Sequence, residues 1–129
     1  MKKYLVLIIF LSIFMTGCFN NTLTEVCSKK EDANYIEEID KIEFTHLNGK
    51  INYLKLSKEY IGMDMTGALK TYLVMYQNEP GVNVDVSNNT ITYEFEMDNV
   101  KDDIKDIFNL KDNYHDQINT LKEMGFTCE

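Results

Sequence analysis

Arginine and tryptophan are absent from this chain of 129 residues, and proline occurs once, at Pro80. Lysine supplies every basic side chain while Asn, Ile and Lys are plentiful, which reads as the coding bias of an AT-rich genome and favours a low-GC Gram-positive source. Positive charge is scarce: 13 lysines stand against 21 acidic residues, for a formal net charge of −8. A surface this acidic is repelled by phosphate backbones and anionic head groups, which excludes nucleic acid as a natural partner. A long apolar run is also missing, because Tyr4 to Met15 gives about a dozen residues where roughly 18 are needed to span a bilayer. No later segment comes close.

Little in the chain points to catalysis. There are two histidines, His46 and His115, far apart in sequence. No nucleophile sits at a recognisable elbow and no glycine-rich phosphate loop occurs. The apolar fraction of 44% and aromatic fraction of 12% are nonetheless those of a folded protein, and 129 residues make one domain rather than two. Solenoid periods, low-complexity tracts and interdomain linkers are all lacking.

What the chain does have begins at its start. Lys2 and Lys3 precede the apolar run, and Met15-Thr16-Gly17-Cys18 closes it with small residues before a cysteine. This order is a secretory signal. The small-residue cleavage point with cysteine directly after it resembles a bacterial lipobox. Residues 1–17 are therefore expected to be a lipoprotein signal peptide, residues 18–22 a lipidated N-terminus on Cys18 with a short tether, and residues 23–129 a single domain. Loss of Lys2 and Lys3 with the leader makes the exported chain more acidic still, so the lipid holds it while its own surface prefers water.

Three cysteines remain to be assigned. Lipidation of Cys18 leaves Cys27 and Cys128, which an oxidising compartment is expected to join. The loop so closed is about 100 residues, for which chain entropy gives roughly 4 to 5 kcal/mol. A metal site lacks further soft ligands near these cysteines, and neither metal nor cofactor is expected.

Two hairpins and several helices are predicted. Ile42 and Phe44 alternate with polar neighbours before Asn48-Gly49, a strong hairpin signal, and Ile51 and Tyr53 follow it. Asp64 is placed to cap a helix to about Asn78, with Leu69, Tyr72, Leu73, Met75 and Tyr76 on one wide apolar face. Val82, Val84 and Val86, then Ile91, Tyr93, Phe95 and Met97, alternate with polar residues about a turn at Ser87-Asn88-Asn89. Asp98 or Asn99 is expected to cap a helix from Val100 to Asn109 with Ile104, Ile107 and Phe108 inward. Asp112 or Asn113 is expected to cap the last, with Tyr114, Ile118 and Leu121 inward, and Gly125-Phe126 to stop it. The predicted fold class is α+β, an antiparallel sheet of about four strands in two hairpins packed against amphipathic helices.

The lipobox, two hairpins around an amphipathic helix, and the closing Gly125-Phe126-Thr127-Cys128 together resemble the YehR-like small bacterial lipoproteins, a family of uncharacterised function. The resemblance implies class and location and carries no functional residue across.

Several side-chain groups invite chemistry. Asp98, Asp102, Asp103 and Asp106 tempt a calcium reading, but their spacing does not match an EF-hand loop, and helix-start aspartates account for them. Glu94 and Glu96, with Asp85 across the hairpin, are a carboxylate group on a wet sheet face. His46 and His115 are expected on the surface. Tyr53, Tyr60, Tyr72, Tyr76, Tyr93 and Tyr114 could form a carbohydrate or peptide platform, although most fall at core-facing positions. The expectation is a monomeric, non-enzymatic, membrane-anchored extracytoplasmic lipoprotein that binds an envelope partner. The alternative is an accessory or inhibitory subunit docking onto a membrane enzyme or transporter. With both chain ends near the membrane, the functional surface is expected to face away, towards the first or second hairpin turn.

Overall fold

Asn48 and Gly49 both hold positive φ, 52° and 80°. That is what a type I′ turn requires, and they join β2 (Ile36–Leu47) to β3 (Lys50–Ile61) in antiparallel register. The computed structural model describes residues 22–129. The expected leader, the expected lipidation at Cys18 and the tether up to Asn21 lie outside the described residues. β4 (Val82–Ser87) and β5 (Thr90–Glu96) form the second hairpin about Asn88 and Asn89, again both at positive φ.

A further strand precedes these. β1 (Thr22–Ala33) pairs along all of β2, from Thr22 opposite Leu47 to Ala33 opposite Ile36. On its other side lies β6 (Thr127–Cys128). The described sheet thus has six strands in the order β4-β5-β3-β2-β1-β6, every pairing antiparallel. This is larger than the expected sheet of about four. β1 escapes the alternation rule because it lies near the sheet edge and buries only Cys27, while Lys29-Lys30-Glu31-Asp32 supply four charged residues in a row. β6 is too short to show any period.

Cys27 and Cys128 face each other across β1 and β6, 4.0 Å apart at Cα, and are joined by a disulfide. Thr22 therefore starts at the Asn48-Gly49 end, and the disulfide sits partway along β1. The turns at Asn34-Tyr35 and Asn88-Asn89 lie at the other end, about 40 Å away for a twelve-residue strand. Of the two hairpin turns expected to face away from the chain start, only the second does. The first sits beside Thr22, because an antiparallel β1 brings the chain back to it.

One face of the sheet carries the core. Phe44, Ile51, Leu54, Ile91, Phe95 and Met97 are fully or almost fully buried, each contributing roughly 1.5–3 kcal/mol through burial. Three helices cover this face. α1 (Thr66–Tyr76) packs on β4 and β5; Met65, not Asp64, occupies its N-cap position, and the Asp64 carboxylate one residue earlier accepts from the Thr66 amide at 3.0 Å. Only Leu69 of its expected apolar face is buried, and Tyr72, Val74 and Met75 stand exposed. The helix covers one edge of the sheet and not its centre.

α2 (Asp102–Phe108) is shorter than expected and is ended by Asn109 at φ 55°. Lys101, not Asp98 or Asn99, occupies its N-cap position. Ile104 is buried as expected, whereas Ile107 is 58% exposed because the seven-residue helix stops before that side is covered. α3 (Tyr114–Glu123) is capped by the Asn113 side chain, which accepts from the amides of His115 and Asp116. Gly125 then turns left-handed at φ 95°, and buried Phe126 donates its amide to Leu121.

Candidate functional site

On the core face of β2 the inward parity runs Asp40, Ile42, Phe44, and on β3 it runs Leu56, Lys58, Tyr60. Register sets Asp40 opposite Lys58, Glu38 opposite Tyr60, and Ile91 on the far side of Lys58. A lysine and two carboxylates thus replace apolar residues where the sheet runs past the main core. The Lys58 ammonium is 3.1 Å from Glu38 Oε1 and 3.4 Å from Asp40 Oδ2. Asp40 is 4% exposed, and its second oxygen, Oδ1, has no hydrogen-bond partner among the described residues. An acceptor left so costs about 1–3 kcal/mol.

Two chambers open beside this cluster. One, of about 300 Å³, lies under α1 and is lined by Lys58 with Tyr60, Tyr72, Tyr76 and Tyr93. The other, of about 170 Å³, reaches towards Met124 and is lined by Asp40 and Lys58 over Ile42 and Leu56. Lys58, Ile107 and Phe108 line both, so the chambers lie side by side about these three side chains, and together they are called the groove. Its back wall is rigid: Phe108 packs on Tyr76, Tyr93 and Phe95 with ring centroids 5.0, 4.9 and 5.1 Å away. Its rim is apolar and wet at once, with Tyr72 48% exposed beside Ile107.

Asn89 braces the chain beside Tyr60. At φ 64° its side chain donates to the carbonyls of Tyr60 and Met63, at 2.7 and 2.6 Å, and accepts from the Met65 amide. The segment leading into α1 is thereby tied to the second hairpin.

Electrostatics favour binding groups over reactive ones. Burial opposes the charge on Lys58, but Asp40 and Glu38 outweigh it and hold the ammonium protonated. Burial raises Asp40 to about 6, with Lys58 pulling the other way and Glu38 adding to the rise. For Glu38, burial is overcome by hydrogen bonds from Lys58 and Asp40, and its carboxyl stays below the usual range. Burial holds the phenols of Tyr60 and Tyr93 neutral, assisted by Glu38 at the first and by the neighbouring tyrosines at the second. The groove therefore offers a cation, carboxylate oxygens, and phenols that both donate and accept.

The residues singled out from sequence are scattered. Tyr60, Tyr72, Tyr76 and Tyr93 converge on the groove, whereas Tyr53 sits on the opposite sheet face and Tyr114 packs at the chain-start end. Asp98 pairs with Lys50 at 2.9 Å, and Asp103 accepts from the Ile104 amide, so these two aspartates serve local structure. Glu94 and Glu96 share a shallow cleft with Tyr53 and Asn83, each bonded to an asparagine. Asp85 is opposite Thr92 rather than Glu94. Among the described residues no three His, Cys, Asp or Glu side chains come together as metal ligands.

His46 overturns its expected surface position. It is 7% exposed, its ring stacks on Tyr114 at 4.1 Å, and its Nε2 has no partner among the described residues. Its inward setting continues the β2 parity of Asp40, Ile42 and Phe44. His115 is exposed. A hollow of about 440 Å³ beside Asn48 and Gly49 is shallow, and its lysines are already paired, Lys50 with Asp98 and Lys105 with Asp112. Asp40, Glu38 and Lys58 were the groups that sequence reasoning missed, although a charge at the inward parity beside Ile42 and Leu56 is a readable signal.

No family model, curated protein or solved structure matches this chain. No helix among the described residues is long and apolar enough to cross a membrane.

Proposed function

We propose that the protein is a lipid-anchored extracytoplasmic binding module whose recognition site is the tyrosine-lined groove, and that it performs no covalent chemistry. The observation that carries the reading is the groove itself: a concave, half-apolar site with a few convergent polar groups, one of them an unpartnered buried carboxylate oxygen. Lys58 is held protonated and the phenols neutral, so neither a nucleophilic amine nor a phenolate is offered. The anchor rests on the order Lys2-Lys3, apolar run, Gly17-Cys18, in keeping with the likeness to YehR-like lipoproteins. The Cys27–Cys128 bond suits an exported chain. Accessory docking onto a membrane enzyme or transporter remains the second reading, favoured by the outer edge of β4, which has no neighbouring strand in the sheet.

The test uses the full chain in its own membranes. Cys18→Ala is expected to abolish incorporation of a labelled fatty acid and release the protein from the membrane fraction. A photoreactive residue at position 72 is expected to capture a small molecule, and one at position 53, on the other sheet face, is not. Capture at 53 alone contradicts the groove as the site.

A further inference from the structure

A ligand for the groove has to satisfy groups of opposite sign within a few ångströms. Lys58 already occupies the cation position between Glu38 and Asp40, so a second full cation at hydrogen-bond range meets its repulsion. An anion approaching Lys58 meets both carboxylates. A neutral group is left, and it must both donate and accept: donate to Asp40 Oδ1, which has no partner among the described residues, and accept from Lys58. A hydroxyl does either, and two hydroxyls on neighbouring carbons do both at once. The phenols of Tyr60, Tyr72, Tyr76 and Tyr93 extend the same two-way hydrogen bonding around the larger chamber.

The remaining surface is aromatic and aliphatic. The exposed ring of Tyr72 and the side chain of Ile107 flank the mouth, and Phe108 spans the two chambers. Such walls take the carbon–hydrogen face of a ring whose edge is polar. A volume of about 300 Å³ stands at the small end of ligand sites and suits a molecule of one or two rings.

We infer that the groove binds a neutral saccharide, one ring lying against Tyr72 and Ile107, with adjacent hydroxyls bridging Lys58 and Asp40. Asp40 Oδ1 is covered in the groove as it stands, so a hydroxyl reaches it only if a lining side chain gives way, for which unbranched Met124, 40% exposed at the smaller chamber, is suited. The inference rests on the groove being the recognition site and adds the chemical class of what it takes.

Calorimetric titration of the exported protein with neutral mono- and disaccharides, N-acetylated hexosamines included, tests it beside two probes of other chemistry, an anionic sugar phosphate and a medium-chain fatty acid. A neutral sugar is expected to bind, and Tyr72→Ala and Asp40→Asn are each expected to weaken it about tenfold. Tyr53→Ala is expected to leave binding unchanged. Because the chain lacks tryptophan, tyrosine fluorescence reports folding and binding of every variant. Preference for the sugar phosphate or the fatty acid, weakened by Tyr72→Ala, overturns the saccharide class and leaves the groove standing. Sugar binding indifferent to Tyr72→Ala and Asp40→Asn overturns the groove, as does absence of binding by every probe.

Discussion

Asp40 and Lys58 face each other across β2 and β3, with one carboxylate oxygen 3.4 Å from the ammonium and the other without a partner among the described residues. Removing the cation leaves two carboxylates close together, one of them buried. Lys58→Met is expected to destabilise the domain by about 1–3 kcal/mol, below the usual loss for a fully buried pair because Lys58 is one-third exposed. Adding Asp40→Asn is expected to restore most of the loss, and urea unfolding of the single and double variants measures it.

The same pair sets a pH dependence. Asp40 titrates at about 6 in the folded chain against 3.8 for an ordinary aspartate, so the stability it contributes is complete below 3.8 and is lost as pH climbs through about 6. Glu38, held below its ordinary 4.5, acts in the opposite sense and loses its contribution as pH falls. Asp40→Asn separates the two. Relative to that variant, the wild type is expected to lose on the order of 2 kcal/mol across the Asp40 window. Parallel stability curves for the two proteins contradict the assignment.

Asn89 is expected to matter beyond its turn. Asn89→Ala deletes bonds to Tyr60, Met63 and Met65 and places alanine at φ 64°. A loss of about 2–4 kcal/mol is expected from the unpaired groups and the strained backbone together. Hydrogen exchange should rise in residues 62–66 first, as α1 loses its tie.

The Cys27–Cys128 bond closes a loop with a sequence separation of 101 residues and pins a two-residue strand. Changing both cysteines to alanine is expected to cost about 2–5 kcal/mol. Hydrogen exchange is expected to show β6 released while β2, β3 and β5 stay protected.

Local chemistry made most of the fold legible. Asn48-Gly49, Asn88-Asn89, the alternation of Ile91 to Met97 and the Asn113 cap each act through near neighbours, and each forms where the sequence pattern places it. β1 was hidden because a strand near the sheet edge, with one buried residue, carries no alternation to read. Ile107 and Tyr72 were misplaced inward because helical periodicity tells which residues share a face, not whether the sheet beneath extends far enough to cover it. The site was half legible. Its tyrosines stood out by type, but Asp40 and Lys58 become a pair only through the β2–β3 register, and His46 lies inward because it continues the parity of Ile42 and Phe44.

The central claim is that recognition takes place in the groove, and ring resonances of carbon-labelled tyrosine test it most directly. On titration with a soluble cell-envelope hydrolysate, Tyr60, Tyr72, Tyr76 and Tyr93 are expected to shift together while Tyr35, Tyr53 and Tyr114 stay still. Shifts confined to Tyr35, Tyr53 or Tyr114, with the four groove tyrosines unmoved, would contradict it.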